Sequence, residues 1–367
     1  MRPKEHPELI FDVIPKLYES LTKVIVTHLG QVENQVKPLP RKFCRMYTTR
    51  PLANQLFQYL QWRKAHISEQ DFHVVEEGKP FELRLSDGRR LEAMLCAGTA
   101  LGCSLVLLIR KIQGGRLLYF YSAVQQDDLC QLVANPVFNS WIAQGTDLLF
   151  LNLTAVDQPF VHVDYDTLAA TIDKLPRQEN SVVRLKLPLF GYEPLVRRLG
   201  HTLLYGHIRL MGNYAESYAL LSSDLQRFEC RDYRVKVHIF HDEDFATLTS
   251  RAERFVMLRL DHLKWSPLPS RMNLIQLCSL VRPQHIHGIV PHQSVGNVPP
   301  APEYLQRFRA SYSPQQPQNP RPAAAALSRA LPVTRKTAHH VIRKKGLEFL
   351  SDDDDDDTGM AASDKIW

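Results

Sequence analysis

Short stretches in the first half of the chain alternate apolar with polar residues, which predicts β-strands. Phe81, Leu83 and Leu85 alternate with polar residues, Asp87-Gly88 follows, and the alternation resumes at Leu91. Two alternating stretches joined by an Asp-Gly turn predict a β-hairpin. Apolar runs predict further strands over residues 24–26, 105–109, 117–121 and 148–153.

A second pattern has the spacing of a helix. Pro51 is followed by apolar residues at positions 52, 53, 56, 57 and 60, all on one face of a helix that begins at the proline. Because strands and helices occur in turn, we predict an α/β or a layered αββα architecture.

Changes in pattern divide the chain into four parts: 1–156, 157–255, 256–295 and 296–367. The pattern in the second part predicts an inserted α/β unit, with helices near 166–174 and 192–199 and strands near 182–187 and 203–208. The third part contains a predicted helix near 272–281 and a strand through Val290.

The last part has the composition of a disordered tail, with Pro-Gln repeats and an alanine run. Its basic patch around Arg343-Lys-Lys345 is compatible with nuclear import, with a phosphate contact or with no role. The aspartate run Asp352–Asp357 is typical of a solvating tail or of a docking segment for basic partners.

Composition restricts the class of protein. The chain has 367 residues, 44% of them hydrophobic, and a formal net charge of +6. Its six cysteines show no CxxC spacing, which argues against a disulfide framework and a cysteine zinc site. Because there is no signal-like start and no apolar run of about 20 residues, we expect a soluble intracellular protein.

Read in order, several segments resemble the metallo-β-lactamase/β-CASP nucleases of the Artemis and Apollo type, which repair DNA cross-links. The resemblance spans roughly residues 10–295, and it implies a metallo-β-lactamase-like αββα sandwich with an inserted β-CASP subdomain. The matching segments are Val24–Leu29, Arg45–Leu56, Glu76–Leu108, Gly115–Tyr119, Asp147–Asn152 and Ser270–Val290.

The resemblance also indicates where metal ligands would lie. That family hydrolyses phosphodiesters with one or two metal ions, which activate a water molecule. In this chain His28 is the one ligand retained, and Glu33 is a substitute whose carboxylate can still donate an oxygen to a metal. The altered ligand positions are Gly30, Val32, Glu33, Thr99, Ser122 and Leu268.

A hydrolytic metal site needs about three protein ligands, so we expect no catalytic residues and no cofactor. His28 remains as a single metal candidate or as a polar residue at a strand end. Arg41, Lys42, Arg45 and Arg50 follow the altered loop. We expect them to contact DNA phosphates, and the alternative is a scatter of surface charges.

These observations predict a catalytically inactive pseudo-nuclease that binds DNA ends or acts as a scaffold in DNA repair or telomere protection. The expected location is the nucleus, and the expected partners are DNA, repair proteins or telomere proteins, with no membrane. The alternative is an active 5′-to-3′ exonuclease of cross-link and double-strand-break repair with a rebuilt zinc site. Such a site would recruit Glu33, Asp127, Asp128 or a distant histidine, although a solvated turn is expected at Asp127-Asp128. A subunit that binds only proteins is a third possibility.

Two histidine-containing stretches have spacings that occur in metal sites. His285-Ile-His287 precedes His292, and His238-Ile-Phe-His241 runs into an acidic segment ending at Asp244. Both lie outside the positions where the resemblance places the family's site, which favours strand residues without a metal role.

Overall fold

The computed structural model describes most of the chain up to residue 310. The described residues are 1–30, 32, 39–111, 114–124, 126–157, 182–203, 208–210, 213–222, 225, 237–240, 255–258, 266–289 and 300–310. The chain divides into two units, Met1–Pro314 and Gln315–Trp367, and all described residues belong to the first. The predicted basic patch and aspartate run lie outside the described residues.

A four-stranded parallel sheet contains the first strands of the chain, in the order β1-β2-β3-β4. The strands are β1 (Leu9–Phe11), β2 (Lys23–Ile25), β3 (Arg45–Thr48) and β4 (Phe72–Val74). They are short and mostly buried, as expected for parallel strands covered on both faces.

A six-stranded mixed sheet follows. Its strands are β5 (Phe81–Arg84), β6 (Arg90–Ala97), β7 (Leu105–Lys111), β8 (Arg116–Phe120), β9 (Leu148–Leu151) and β14 (His285–Gly288), in the order β14-β9-β8-β7-β6-β5. The strands β5 to β8 pair antiparallel, and β9 pairs parallel with both β8 and β14. The predicted hairpin is confirmed.

Helices cover the outer faces of the two sheets. Phe11 contacts Tyr119 with ring centroids 5.1 Å apart, so the two sheets pack directly on each other. Helix α1 (Arg50–Trp62) buries Leu52, Leu56 and Leu60 next to the four-stranded sheet. Helices α2 (Gln126–Ala134), α3 (Pro136–Ala143) and α6 (Arg271–Val281) pack on the far face of the six-stranded sheet. This is the predicted αββα order.

A third sheet lies in sequence between β9 and β14. Its strands β10 (Val182–Lys186), β11 (Ile208–Leu210), β12 (Val237–Phe240) and β13 (Phe255–Leu258) pair in parallel, in the order β11-β12-β10-β13. Helices α4 (Glu193–Leu203) and α5 (Asn213–Ala219) belong to the same region. The predicted inserted α/β unit is present.

Some predicted boundaries of this insertion were wrong. The unit does not end at residue 255, because β13 pairs with β10 as far as Leu258. Helix α4 continues to Leu203, and the strand predicted near 203–208 begins only at Ile208. The helix predicted near 166–174 lies outside the described residues.

The predicted start of the tail at residue 296 was also wrong. Residues 300–310 pack on the folded unit, with helix α7 (Glu303–Gln306) burying Leu305 completely. The Tyr304 hydroxyl donates to the Val156 carbonyl at 3.1 Å, and the Ala310 amide donates to the Pro283 carbonyl at 3.0 Å. A few apolar residues supply this anchor, although the surrounding segment has a proline-rich composition.

Most cysteines in the described part of the chain are buried. Those that are free are Cys44, Cys96, Cys103, Cys130 and Cys278. Burial raises the pKa of the Cys96 and Cys278 thiols to about 12, so these side chains pack as small apolar groups. In the same part of the chain, no helix is long and apolar enough to cross a membrane.

Candidate functional site

The candidate site lies where β2 ends beside the six-stranded sheet, and His28 is at its centre. His28 forms an isolated β-bridge with Ser104, and its ring stacks on Tyr121 with centroids 3.7 Å apart and planes 15° apart. Only 5% of its side chain is exposed. The imidazole is therefore sandwiched inside the protein.

The partner of His28 is Asp12, the residue that follows β1. The distance from His28 Nε2 to Asp12 Oδ2 is 3.3 Å. Nε2 makes no well-aligned hydrogen bond within the described residues. The Asp12 carboxylate accepts from the Thr27 amide at 2.5 Å and from the Tyr119 hydroxyl at 2.6 Å.

Asp12 also has a strained backbone conformation. Asp12 has a φ of +56°, which a residue with a Cβ rarely adopts. Such strain persists where surrounding contacts hold the residue, and here Thr27 and Tyr119 do so. Sequence reasoning missed Asp12. The available signal was a carboxylate directly after a fully apolar strand, the position at which parallel strands place site residues.

Electrostatics favour the ionised form of Asp12. Burial alone would raise the pKa of its carboxyl group, because the charged form loses water. The His28 imidazole, the Tyr119 hydroxyl and the Thr27 amide outweigh burial and hold the pKa below its ordinary value. The pKa of Tyr119 is raised well above its ordinary value by burial and by Asp12, so the tyrosine stays protonated as a donor.

An aspartate that holds a histidine is common in hydrolytic sites, but here the pair is enclosed. Asp12 has no exposed side-chain surface, and His28 is nearly as buried. Proton transfer to a substrate requires the base to lie within hydrogen-bond reach of the reacting atom. The pair is enclosed in the conformation described, and the contacts of Asp12 with Tyr119 and of His28 with Tyr121 join the two sheets.

The altered ligand positions lie near this pair. Gly30 is close to His28, since a Cβ at Gly30 would lie 3.6 Å from His28 Nδ1. Thr99 belongs to the loop that reaches Ser104, and its hydroxyl lies 3.4 Å from the Cys103 sulfur. Burial raises the pKa of that thiol above its ordinary range. The side chain of Val32 is buried, and Glu33 lies outside the described residues.

Two further altered positions lie on adjacent loops. Ser122 follows Tyr121, which stacks on His28, and it is half-buried. The next amide, of Ala123, donates to the Pro267 carbonyl at 2.8 Å, which places Leu268 beside this loop. The structure therefore brings the segments carrying Gly30, Thr99, Ser122 and Leu268 to one edge of the sandwich.

The described residues at the altered ligand positions do not fit a zinc ion. Zinc sites take nitrogen, sulfur or carboxylate ligands, and neither glycine, valine nor leucine side chains supply them. Over the described part of the chain, no group of three or more His, Cys, Asp or Glu side chains is arranged to hold a metal.

The prediction of a solvated turn at Asp127-Asp128 was wrong, because both residues lie in helix α2. The Asp128 carboxylate accepts from the Ala100 amide at 2.8 Å and so holds the loop that carries Thr99. The side chain of Asp127 lies outside the described residues. A carboxylate two residues into a helix is favoured by the helix dipole.

The four basic residues predicted to contact DNA are all exposed, but they do not form one cluster. Arg45 begins β3, in register with Lys23 at the start of β2, whereas Arg50 begins helix α1 after β3 ends. Arg41 and Lys42 precede β3. A strand of four residues spans about 10 Å, so Arg50 lies towards the His28 edge and the other three towards the opposite edge.

One of the two histidine-containing stretches lies within strand β14. His285 and His287 are both exposed on one face of β14, while Ile286 between them is buried. His287 stacks on Phe150 with centroids 5.3 Å apart, which gives it a packing role. His292, the side chain of His238 and the segment from His241 to Asp244 lie outside the described residues.

Comparisons with known proteins found remote likenesses among solved structures. No family model and no curated protein matches the sequence. Among solved structures, Zn²⁺-bound PqqB from Methylobacterium extorquens has 13% identity and a TM-score of 0.23, with 65% of this chain and 70% of that chain covered. An isothiocyanate hydrolase from Delia radicum gut bacteria has 13% identity and a TM-score of 0.23. That match covers 44% of this chain and 61% of the hydrolase, less than two thirds of its length.

Proposed function

We propose that this chain is a catalytically inactive relative of the metallo-β-lactamase/β-CASP nucleases, acting as a DNA-end binding or scaffolding protein. The observation that carries the proposal is the state of His28. The one imidazole retained from the resembled metal site is buried, stacked on Tyr121 and held by Asp12. It packs inside the sandwich, and within the described residues the surrounding ligand positions offer no set of donors for a metal.

The nature of the substitutions supports loss of hydrolysis. Carboxylates and imidazoles that cluster around a metal are costly to bury once the metal is lost. Val32 is buried and apolar, and half-buried Leu268 is apolar as well. Replacing ligands by such side chains retains the fold without the ion. Under this proposal the sheet of β10 to β13 is the counterpart of a β-CASP subdomain.

DNA is the proposed ligand of the edge around His28. The resemblance to cross-link repair nucleases supports a nuclear role in DNA repair or telomere protection. Arg50 is exposed at the start of α1, on the His28 side of the four-stranded sheet. A guanidinium there suits a phosphate contact without base recognition.

The competing function is an active 5′-to-3′ exonuclease whose zinc site has been rebuilt. One contact favours this exonuclease: the Asp128 carboxylate accepts from the Ala100 amide, so a carboxylate that could bind a metal lies beside the Thr99 loop. It would need two more donors, and Glu33 is the residue predicted to supply one.

Cleavage and binding measured on the same samples distinguish the two functions. The full chain is incubated with end-labelled, 5′-phosphorylated single- and double-stranded DNA, with zinc or manganese and with chelator. We expect binding that chelator leaves unchanged, no cleavage, and weaker binding by Arg50→Glu than by the control Arg84→Glu, which alters an exposed arginine of β5.

Chelator-sensitive cleavage that His28→Ala abolishes, and that the exposed control His66→Ala retains, would establish the exonuclease instead. Thermal unfolding of each variant separates loss of activity from loss of fold. A chain that neither binds nor cuts DNA would contradict a DNA-end role and leave protein scaffolding as the function.

A further inference from the structure

The loop between β1 and β2 exposes an unusual amount of apolar surface. Leu17 is 77% exposed, Leu21 57% and Tyr18 43%. Within the described residues, only two other large apolar side chains are similarly exposed, Val137 and Met272, and each is in a helix. Isolated exposed leucines are common, but three large apolar side chains within five positions form a patch.

Positive charge surrounds this patch. Lys16 precedes Leu17 and is exposed, as are Arg41 and Lys42. The Lys42 ammonium group lies 4.0 Å from the centroid of the Tyr18 ring, a cation–π contact that joins the two segments. Arg45, also exposed, lies next along the chain at the start of β3.

Described acidic residues near the patch already have cationic partners. The Glu19 carboxylate accepts from Arg2 and from the Thr22 hydroxyl, both at 2.6 Å. Glu8 lies 3.8 Å from the Lys23 ammonium group. The exposed cations therefore give this face a positive potential.

The loop is held in place by contacts with the body of the protein. The Glu19 amide donates to the Cys44 sulfur at 3.4 Å, and the Thr22 amide donates to the Glu19 carbonyl at 3.1 Å. These contacts hold the backbone of the loop near Glu19 before any partner arrives. Such preorganisation lowers the entropy cost of binding.

We propose that Lys16, Leu17, Tyr18, Leu21, Arg41 and Lys42 form a docking surface for an acidic segment of a partner protein. The segment would place apolar side chains on Leu17, Tyr18 and Leu21 and carboxylates on the cations. An apolar centre with a charged rim is the usual composition of a protein interface.

DNA fits this surface less well. Phosphate contacts use the cations alone, and they leave the leucines in water. The surface also lies at the start of β2 and β3, the opposite strand ends from His28. The proposal therefore goes beyond the proposed function and does not rest on it.

A binding assay tests the proposal. The probe is a fluorescent synthetic peptide in which aspartates flank a Leu-Leu-Phe core, with an otherwise identical peptide carrying asparagines as its control. Full-length protein is compared with the double variants L17S/L21S and R41E/K42E. The matched controls are Met272→Ser, an exposed apolar residue elsewhere, and Lys79→Glu, an exposed lysine in a turn.

We expect the acidic peptide to bind, the asparagine peptide to bind more weakly, and each double variant to lose about tenfold or more in affinity. The controls should stay within about twofold, and higher salt should weaken binding. Since every altered side chain is exposed, melting temperatures should not change.

Three results would overturn the proposal. One is no binding of the acidic peptide, or binding that neither double variant weakens. Another is displacement of the peptide by 5′-phosphorylated duplex DNA, combined with unchanged peptide affinity of the L17S/L21S variant. That pair of results would make the surface a phosphate site. The last is concentration-dependent self-association lost in L17S/L21S, which would assign the leucines to a second copy of the chain.

Discussion

The Tyr119 hydroxyl donates a hydrogen bond to Oδ2 of Asp12 at 2.6 Å, and both side chains are fully buried. The contact joins β8 of the six-stranded sheet to the residue that follows β1 of the four-stranded sheet. It lies within a network that also includes Thr27 and His28. A charge in this position is tolerated only because every neighbour stabilises it.

Removal of this donor should destabilise the sandwich. We expect Tyr119→Phe to lower the free energy of unfolding by about 2 kcal/mol, because a buried carboxylate loses a charged hydrogen bond. Chemical denaturation measures the change. Tyr304→Phe is the matched control, since its half-buried hydroxyl meets a neutral carbonyl, and it should cost about half as much or less. Equal losses in the two variants would contradict the importance of Asp12.

A second prediction concerns His6, which is buried and has no hydrogen-bond partner for Nδ1 within the described residues. Burial and the positive charges of Lys111 and Arg89 lower the pKa of its imidazole to about 4. Between the ordinary value of 6.5 and 4, the unfolded chain binds a proton that the folded chain rejects.

Stability should therefore fall as pH falls through this window, by up to about 3 kcal/mol from His6. Unfolding measured from pH 7 to pH 4 should show a shallower decline for His6→Gln than for the unmodified chain. His66→Gln, which changes an exposed histidine, should retain the original slope. A slope unaltered by His6→Gln would show that other groups determine the acid sensitivity.

A third prediction concerns the attachment of the inserted sheet. Gln55 in α1 is buried, and its side-chain amide donates to the Ser217 carbonyl at 3.2 Å and to the Ser217 hydroxyl at 3.1 Å. Gln55→Ala should reduce stability by about 1 to 2 kcal/mol and speed proteolysis between β9 and β14. Gln58 lies one helical turn after Gln55, and its side-chain amide donates to the Glu216 carboxylate at the surface. Gln58→Ala should therefore change stability and proteolysis little. Indistinguishable proteolysis of the two variants would contradict this attachment.

The fourth prediction tests the core between the six-stranded sheet and α6. Leu277 is fully buried there, whereas Met272 on the same helix is 41% exposed. Leu277→Ala should lower the free energy of unfolding by about 2 to 5 kcal/mol, because it removes apolar contacts and leaves a cavity. Met272→Ala should stay within about 0.5 kcal/mol. Comparable effects in thermal unfolding would argue against the assigned face of this helix.

The sequence by itself determined the elements whose burial follows a simple period. The apolar positions of α1 and the alternation on both sides of Asp87-Gly88 predicted a helix and a hairpin that the structure contains. Such patterns can be recognised in a short stretch of sequence, because the local backbone geometry of a helix or strand decides which face each side chain points to. The inserted α/β unit was visible for the same reason.

Only the tertiary structure decided which distant residues meet. Asp12 is a site residue because parallel pairing brings β1 beside β2 and because Tyr119 reaches across from the other sheet. Arg45 and Arg50 are five positions apart in sequence, yet Arg45 begins β3 and Arg50 follows its end, so they lie at opposite ends of the strand. Residues 300–310 belong to the fold through contacts with Val156 and Pro283. Such contacts depend on chain topology, which the local order of apolar and polar residues does not encode.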